Sequence, residues 1–200
     1  MIPALVLAAG KSTRMGRPKA MLPLAGGDTF LTRIVRTFLE ADIDDVVVVV
    51  GADAAVIVDE FAASGLAARF VENTEFEQGQ LSSLLAGLRV VDRSGLAATL
   101  VMLVDVPFVA ASTVRAVVER YRRTRAPVVR PVRGAQHGHP VLIDRSLFDA
   151  IRAADPNDGA KGIVRAHASP AGDVEVDDEG AFTDIDTPED YERVTAYRRS

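Results

Sequence analysis

Short uninterrupted apolar runs alternate along the chain with stretches whose apolar residues recur every three to four positions. Ile2 to Ala8 is the first such run, and Val46 to Val50 is five valines in a row. Ala67 to Val71 and Leu100 to Val104 follow. Runs of this kind, rich in β-branched residues and without polar alternation, predict strands covered on both faces. Helices are predicted over Thr29 to Ala41, Ala54 to Ser64, Leu81 to Val91 and Ser112 to Arg123. The β-α-β-α order predicts right-handed crossovers and a mostly parallel sheet between two helical layers, a Rossmann-like three-layer α/β/α fold.

From Val128 onward the pattern is less regular. Val141 to Ile143 and Val174 to Val176 read as strands, and Arg145 to Ala154 and Gly159 to His167 as helices. Asp155 to Gly159 reads as a surface turn. Thr187-Pro188-Glu189-Asp190 reads as a helix start, with Thr as N-cap, Pro at the first helical position and acids in the first turn. No repeat or linker interrupts the 200 residues, so a single domain over 1–200 is expected.

Composition narrows the reading. Trp is absent and aromatics make up 6%, which leaves Val, Leu, Ile and Ala to build the core. A net charge of −5 excludes a general nucleic-acid binder. Within that acidic chain Lys11, Arg14, Arg17 and Lys19 crowd a stretch without acids. Such a stretch reads either as an anion site or as a solvated basic loop. The absence of Cys excludes thiolate metal sites and a Cys nucleophile. At the N-terminus the positive charges follow a short apolar run, the wrong order for a secretory signal and too short a run to span a membrane. A cytoplasmic protein without membrane contact is expected.

The segment Leu7-Ala8-Ala9-Gly10-Lys11-Ser12 directly follows the first strand, at the carboxyl end where open α/β sheets bind ligands. Small residues there let the backbone approach a ligand, and exposed N–H groups can hold phosphate oxygens. Arg14 and Lys19 can then neutralise a triphosphate and departing pyrophosphate. A dinucleotide fingerprint is excluded, because Ser12 and Met15 stand where its second and third glycines belong. A Walker A loop is excluded too, since Gly10 and Gly16 cannot supply its spacing. An ordinary strand-to-helix turn carrying solvated charges is the plainer reading.

Asp105 follows the Leu100 to Val104 run and would emerge at the carboxyl end of a buried strand, where a carboxylate suits Mg2+. By itself an Asp-x-Pro after a strand usually marks a turn. Asp184 and Asp186 would share one face of an extended segment, although Asp186 could equally serve to cap the last helix. Gly79-Gln80-Leu81-Ser82-Ser83 opens a helix whose N–H groups and hydroxyls can bind a base, ribose or phosphate, or simply cap the helix. His137 and His139 lack a convincing third ligand for zinc. Lys161, Arg165 and His167 form a solvated face or contact an anionic acceptor.

The string L-A-A-G-K-S-T-R-M-G-R-P-K over residues 7–19 resembles the L-A-A/G-G-x-x-x-R-M-G-x-x-K signature of nucleotidyltransferases related to the molybdenum-cofactor enzymes. It is most similar to their CTP:molybdopterin cytidylyltransferase branch. Gly79 to Leu84, Asp105-Val106-Pro107, Gly138-His139-Pro140 and Asp184 to Tyr191 follow in that family's order. The resemblance implies a nucleotidyltransferase fold with a nucleotide-binding N-terminal half and an acceptor-binding C-terminal half. It implies transfer of CMP from CTP to a phosphorylated acceptor, molybdopterin or the molybdenum cofactor, with release of pyrophosphate. The catalytic residues would be Arg14, Lys19 and Asp105. Nucleotide would contact Leu7, Ala8, Ala9, Gly10, Lys11, Ser12, Arg14, Lys19, Gly79, Ser82 and Ser83. Asp105 and Asp186 would hold Mg2+ or Mn2+, with Asp184 in reserve, and His139 would border the acceptor.

The resemblance also bears on the donor. Relatives using GTP tend to read Leu-Ala-Gly-Gly, so the methyl group of Ala9 favours CTP by leaving less room for a purine. Val106 stands where the family often carries Gln. Contact with a molybdoenzyme, and a monomer or weak dimer, complete the expectations. The rivals are a GTP-dependent molybdopterin guanylyltransferase, a nucleotidyltransferase for another small-molecule phosphate, and a non-catalytic nucleotide-binding accessory protein.

Overall fold

The computed structural model describes residues 1–11 and 16–197. The five-residue apolar runs become β1 (Ala4–Ala8) and β2 (Val46–Val50), every residue of both buried. β3 (Arg69–Glu72) lies beside β2, and β4 (Ala98–Leu103) lies on the other side of β1. These four strands are parallel, with Val6 opposite Val48 on one side and Met102 on the other. The connecting helices are α1 (Phe30–Glu40), α2 (Ala54–Ala62), α3 (Gln80–Val91) and α4 (Ala111–Thr124). Each lies within two residues of its predicted ends. Thr29 caps α1 reciprocally with Thr32, which fixes its start.

Alternation along β1 divides the core in two. Ala4, Val6 and Ala8 face α1, α2 and α4, where Ile34, Phe38, Phe61 and Val117 pack. Leu5, Leu7 and Ala9 face the opposite layer with Leu84 and Leu88 of α3. The same face receives Phe148 and Ile151 of α5 (Phe148–Arg152). At about 25 cal/mol per Å² of buried apolar surface, such two-sided burial is the main stabilising contribution to the fold.

The second half departs from the predicted pattern. β5 (Val128–Arg133) was not foreseen, because Arg130, Pro131 and Arg133 interrupt its apolar run. It pairs with the short β6 (Gln136–His137), with β7 (Val141–Asp144) and with β8 (Asp173–Glu175). The order is β3-β2-β1-β4-β7-β5-β6, and β7 is antiparallel to both of its neighbours. The helix expected over Arg145 to Ala154 divides into a 3-10 turn, Arg145–Leu147, and α5. Asp144 accepts from the Ser146 amide at its start. α6 (Lys161–His167) and α7 (Pro188–Tyr197) complete the chain. Among the described residues no helix is long and apolar enough to cross a membrane.

Candidate active site

The parallel strands β1 and β4 end side by side, with the Val104 amide donating to the Leu7 carbonyl at 3.2 Å. Above their carboxyl ends lies a cavity of ≈ 240 Å³. Leu7, Ala8, Ala9, Gly10, Lys11, Lys19, Gly79, Ser83 and Asp105 line it, so four distant segments converge on one space. Ser12 and Arg14 lie outside the described residues.

Close approach of backbones makes this convergence possible. A Cβ at Gly51, just after β2, would stand 2.5 Å from the Ala9 carbonyl oxygen and 3.0 Å from the Phe76 Cβ. Gly79 turns the chain into α3 with φ 96°, a left-handed conformation that favours glycine. No side chain caps the first turn of α3, whose N-cap Gly79 and first residue Gln80 border the cavity.

The serines behave differently from expectation. Ser82 does not border the cavity; its hydroxyl lies 2.9 Å from the Glu75 carbonyl and 2.8 Å from that of Gly79. Ser83 borders it, but both hydroxyls accept from the Asn73 amide, at 2.8 and 3.1 Å. Asn73 is buried, and its carbonyl side-chain oxygen accepts from Glu75 N–H. The pair therefore anchors the turn between β3 and α3. Asn73 itself was missed, although an Asn at a strand end is a turn signal.

Ala9 is 3% exposed, and its Cβ lies close to where a Gly51 Cβ would stand. The methyl group is largely covered by its neighbours, although Ala9 also borders the cavity. With 3% of the residue exposed, Ala9 gives only weak steric support for CTP over a purine nucleotide.

Asp105 sits two residues beyond β4, where the Val106 amide turns back to the Leu103 carbonyl. Its backbone carbonyl accepts from Ile185 N–H at 2.9 Å, which binds the last acidic segment to the end of β4. Ile185 is buried, while Asp184 and Asp186 on either side are exposed, as alternation predicts. Burial pushes the Asp105 carboxyl up to about 6; Lys19 opposes that shift, and Asp184 and Asp186 add to it. Lys19 Nζ stands 2.9 Å from Asp186 Oδ1 and 3.9 Å from Asp105 Oδ2. Asp105 Oδ1 is buried without a hydrogen-bond partner. The cap of α7 belongs to Thr187 and Asp190, whose side chains each accept the other's amide at 3.1 Å. Asp186 is therefore not needed as a cap.

An orphaned buried carboxylate oxygen beside two exposed carboxylates fits a hard divalent cation that completes its shell with phosphate oxygens and water. Among the described residues no group of three or more His, Asp or Glu is gathered tightly enough to hold a metal by protein ligands alone.

A second cavity of ≈ 600 Å³ adjoins the first. Leu7, Gln80 and Leu103 line both. The second is bounded by α3, the β4–β7 face, His137, His139 and the 156–165 segment. His139 is half-buried, and desolvation holds its imidazole below the ordinary range. Its Nδ1 lies 3.4 Å from the Val101 carbonyl. Gln80, Phe76 and Arg130 also line the cavities, and no motif in the sequence singled out those roles.

The same architecture occurs in solved structures. A Mycobacterium tuberculosis H37Rv protein, Rv0371c, superposes with a TM-score of 0.79 at 28% identity, over 98% of each chain. The same protein has been solved in complex with manganese, with a TM-score of 0.73 at 27% identity over 98% of each chain. A nucleotidyl transferase from Methanothermobacter thermautotroptrophicus gives 0.78 at 26% identity, covering 100% of this chain and 99% of that one. Among curated relatives, the purine catabolism protein PucB of Bacillus subtilis is 30% identical over 94% of this chain and 93% of its own. Nicotine blue oxidoreductase of Paenarthrobacter nicotinovorans is 31% identical over 96% of both. A probable molybdenum cofactor guanylyltransferase of Mycobacterium tuberculosis is 30% identical over 74% of this chain and 70% of its own. Residues 4–171 match the MobA-like NTP transferase domain. The chain belongs to that family and is a nucleotidyltransferase.

Proposed function

We propose that this chain moves the nucleoside monophosphate of an NTP, with CTP as donor, onto the terminal phosphate of a molybdopterin-type acceptor. The observation that carries the reading is the pair of adjoining cavities, one lined by the glycine-rich loop and Asp105, the other by His139. A donor and an acceptor can lie end to end across Leu7, Gln80 and Leu103. An acceptor phosphate oxygen would attack the α-phosphorus in line, forming one P–O bond while the bond to the β-phosphate oxygen breaks and pyrophosphate leaves. The reaction requires no side-chain nucleophile.

Two strongly negative groups must meet, so positioning and charge neutralisation supply most of the catalysis. Asp105 and Asp186 would hold Mg2+ or Mn2+, which supplies charge neutralisation at the phosphates when bound. Lys19, 16% exposed between these carboxylates, would steady the triphosphate together with Arg14. The amides at the start of α3 would hold the nucleotide. Walls of both cavities would exclude competing water.

GTP is the second reading for the donor. Ala9 is 3% exposed, which weakens the steric argument against a purine, and a relative is named as a probable molybdenum cofactor guanylyltransferase. The name nicotine blue oxidoreductase points to a different chemistry, but the first loop lacks dinucleotide spacing. Pyrophosphate release with each of the four NTPs, molybdopterin and either metal tests the proposal. Preferential turnover of CTP supports it, and preferential turnover of GTP transfers it to the second reading. Metal-dependent CTP binding without turnover would show an accessory protein instead.

A further inference from the structure

The second cavity carries charge that the reaction at the first does not use. Lys161 and Arg165 lie one turn apart on α6 and both line it, while Ile163 and Val164 pack toward the core. Neither cation forms an ion pair with a described residue. Arg130, at the same cavity, is held by Asp173 at 3.0 Å. Asp158 is the one acid among the described residues lining this space, and burial lowers the His139 imidazole below its ordinary range. The remaining wall is largely aliphatic, from Leu81, Leu84, Val101, Val141 and Ile143.

Chemistry fixes where the acceptor's reacting phosphate must lie. It has to reach the α-phosphorus, which belongs with Asp105 in the first cavity. The reacting phosphate therefore lies at the seam formed by Leu7, Gln80 and Leu103. Lys161 and Arg165 line only the second cavity, so they face another part of the acceptor. We infer that Lys161 and Arg165 recognise an anionic group of the acceptor other than the phosphate that is attacked. The inference rests on the transferase reading and adds a specificity determinant to it. Paired cations in the cavity wall attract such a group and hold an acceptor that lacks it less firmly.

The test is steady-state transfer to molybdopterin by the wild type, Lys161→Ala, Arg165→Ala and the double variant. Both side chains are exposed on their helix, so melting temperatures should match the wild type. Loss of a charge-assisted contact predicts an acceptor KM raised about tenfold for each single variant, and more for the double. The KM for the NTP and kcat should stay within about threefold, Lys161→Arg should restore most of the affinity, and the salt dependence of acceptor kcat/KM should flatten in the double variant. An unchanged acceptor KM, or an equal rise in both KM values, overturns the inference while leaving the transferase reading intact. Absence of transfer by the wild type overturns both.

Discussion

Lys19 Nζ lies 2.9 Å from Asp186 Oδ1, joining the first loop to a carboxylate 167 residues later. The ammonium occupies the space between two carboxylates proposed to hold a metal. A cation binding there without nucleotide must compete with Lys19. Lys19→Met is therefore expected to bind Mn2+ alone about tenfold more tightly while losing at least about 100-fold in turnover. Electron paramagnetic resonance titration of free Mn2+ measures the first effect. Weaker Mn2+ binding by the variant would refute the competition.

Asp105 should weaken the metal-free fold at neutral pH. Its folded-state value of about 6 lies above the ordinary 3.8, so the folded state binds the extra proton between those values. Stability consequently falls as pH rises through that window, and the full cost is present above about pH 6. A shift of this size corresponds to about 3 kcal/mol at most. With the side chain 23% exposed, Asp105→Asn is expected to stabilise the metal-free protein by about 1–2 kcal/mol at pH 7.5. The gain should vanish near pH 4. Denaturant melts at both values check this, and the same variant should show no turnover. A variant less stable than wild type at pH 7.5 would contradict the desolvation argument.

Gly51→Ala acts on the first cavity from behind. The added methyl group would meet backbone, the Ala9 carbonyl oxygen at 2.5 Å, and something must move. Overpacking of this kind costs about 1–3 kcal/mol. Displacement of Ala9 and Phe76 should weaken NTP binding about tenfold with little effect on acceptor KM. Calorimetric titration with the non-reacting nucleotide and metal would detect it, and unchanged affinity would show that the loop yields without penalty.

Asp178 offers a purely structural comparison. Its Oδ2 accepts from the Ala110 amide at 2.9 Å and the Thr113 hydroxyl at 2.6 Å, fastening the start of α4 from a distant segment. Asp178→Ala should cost about 1–3 kcal/mol in urea unfolding. Activity per folded molecule should be retained; a selective loss of kcat would assign this carboxylate a part in the chemistry.

The contrast between the two halves shows what the sequence makes legible. β1, β2 and β4 are buried on both faces, so apart from Thr99 their side chains are apolar, and the runs announce the strands. β5 pairs at a sheet margin with three partners and tolerates Arg130 and Arg133, so its pattern is broken. Segments contributing to the first cavity carry recognisable small residues and an acid after a strand. Gln80, Arg130 and the cations of α6 acquire their positions only when α3, β5 and α6 surround one space, a relationship that no local spacing encodes. The two serines were legible as a helix start, but Asn73 determines where their hydroxyls point.

The reversed strand β7 has an evolutionary consequence. It pairs with β4 along Val101 to Ala98 on one edge and, on the other, with β5, which precedes it in the chain. Within the sheet, β5 to β8 are therefore joined to the four parallel strands along the single β4–β7 pairing. Insertions or exchanges after residue 127 can remodel the wall of the second cavity while the registers of β1, β2, β3 and β4 stay fixed. Such a join would let a lineage change what it modifies without rebuilding the part of the frame beneath the first cavity.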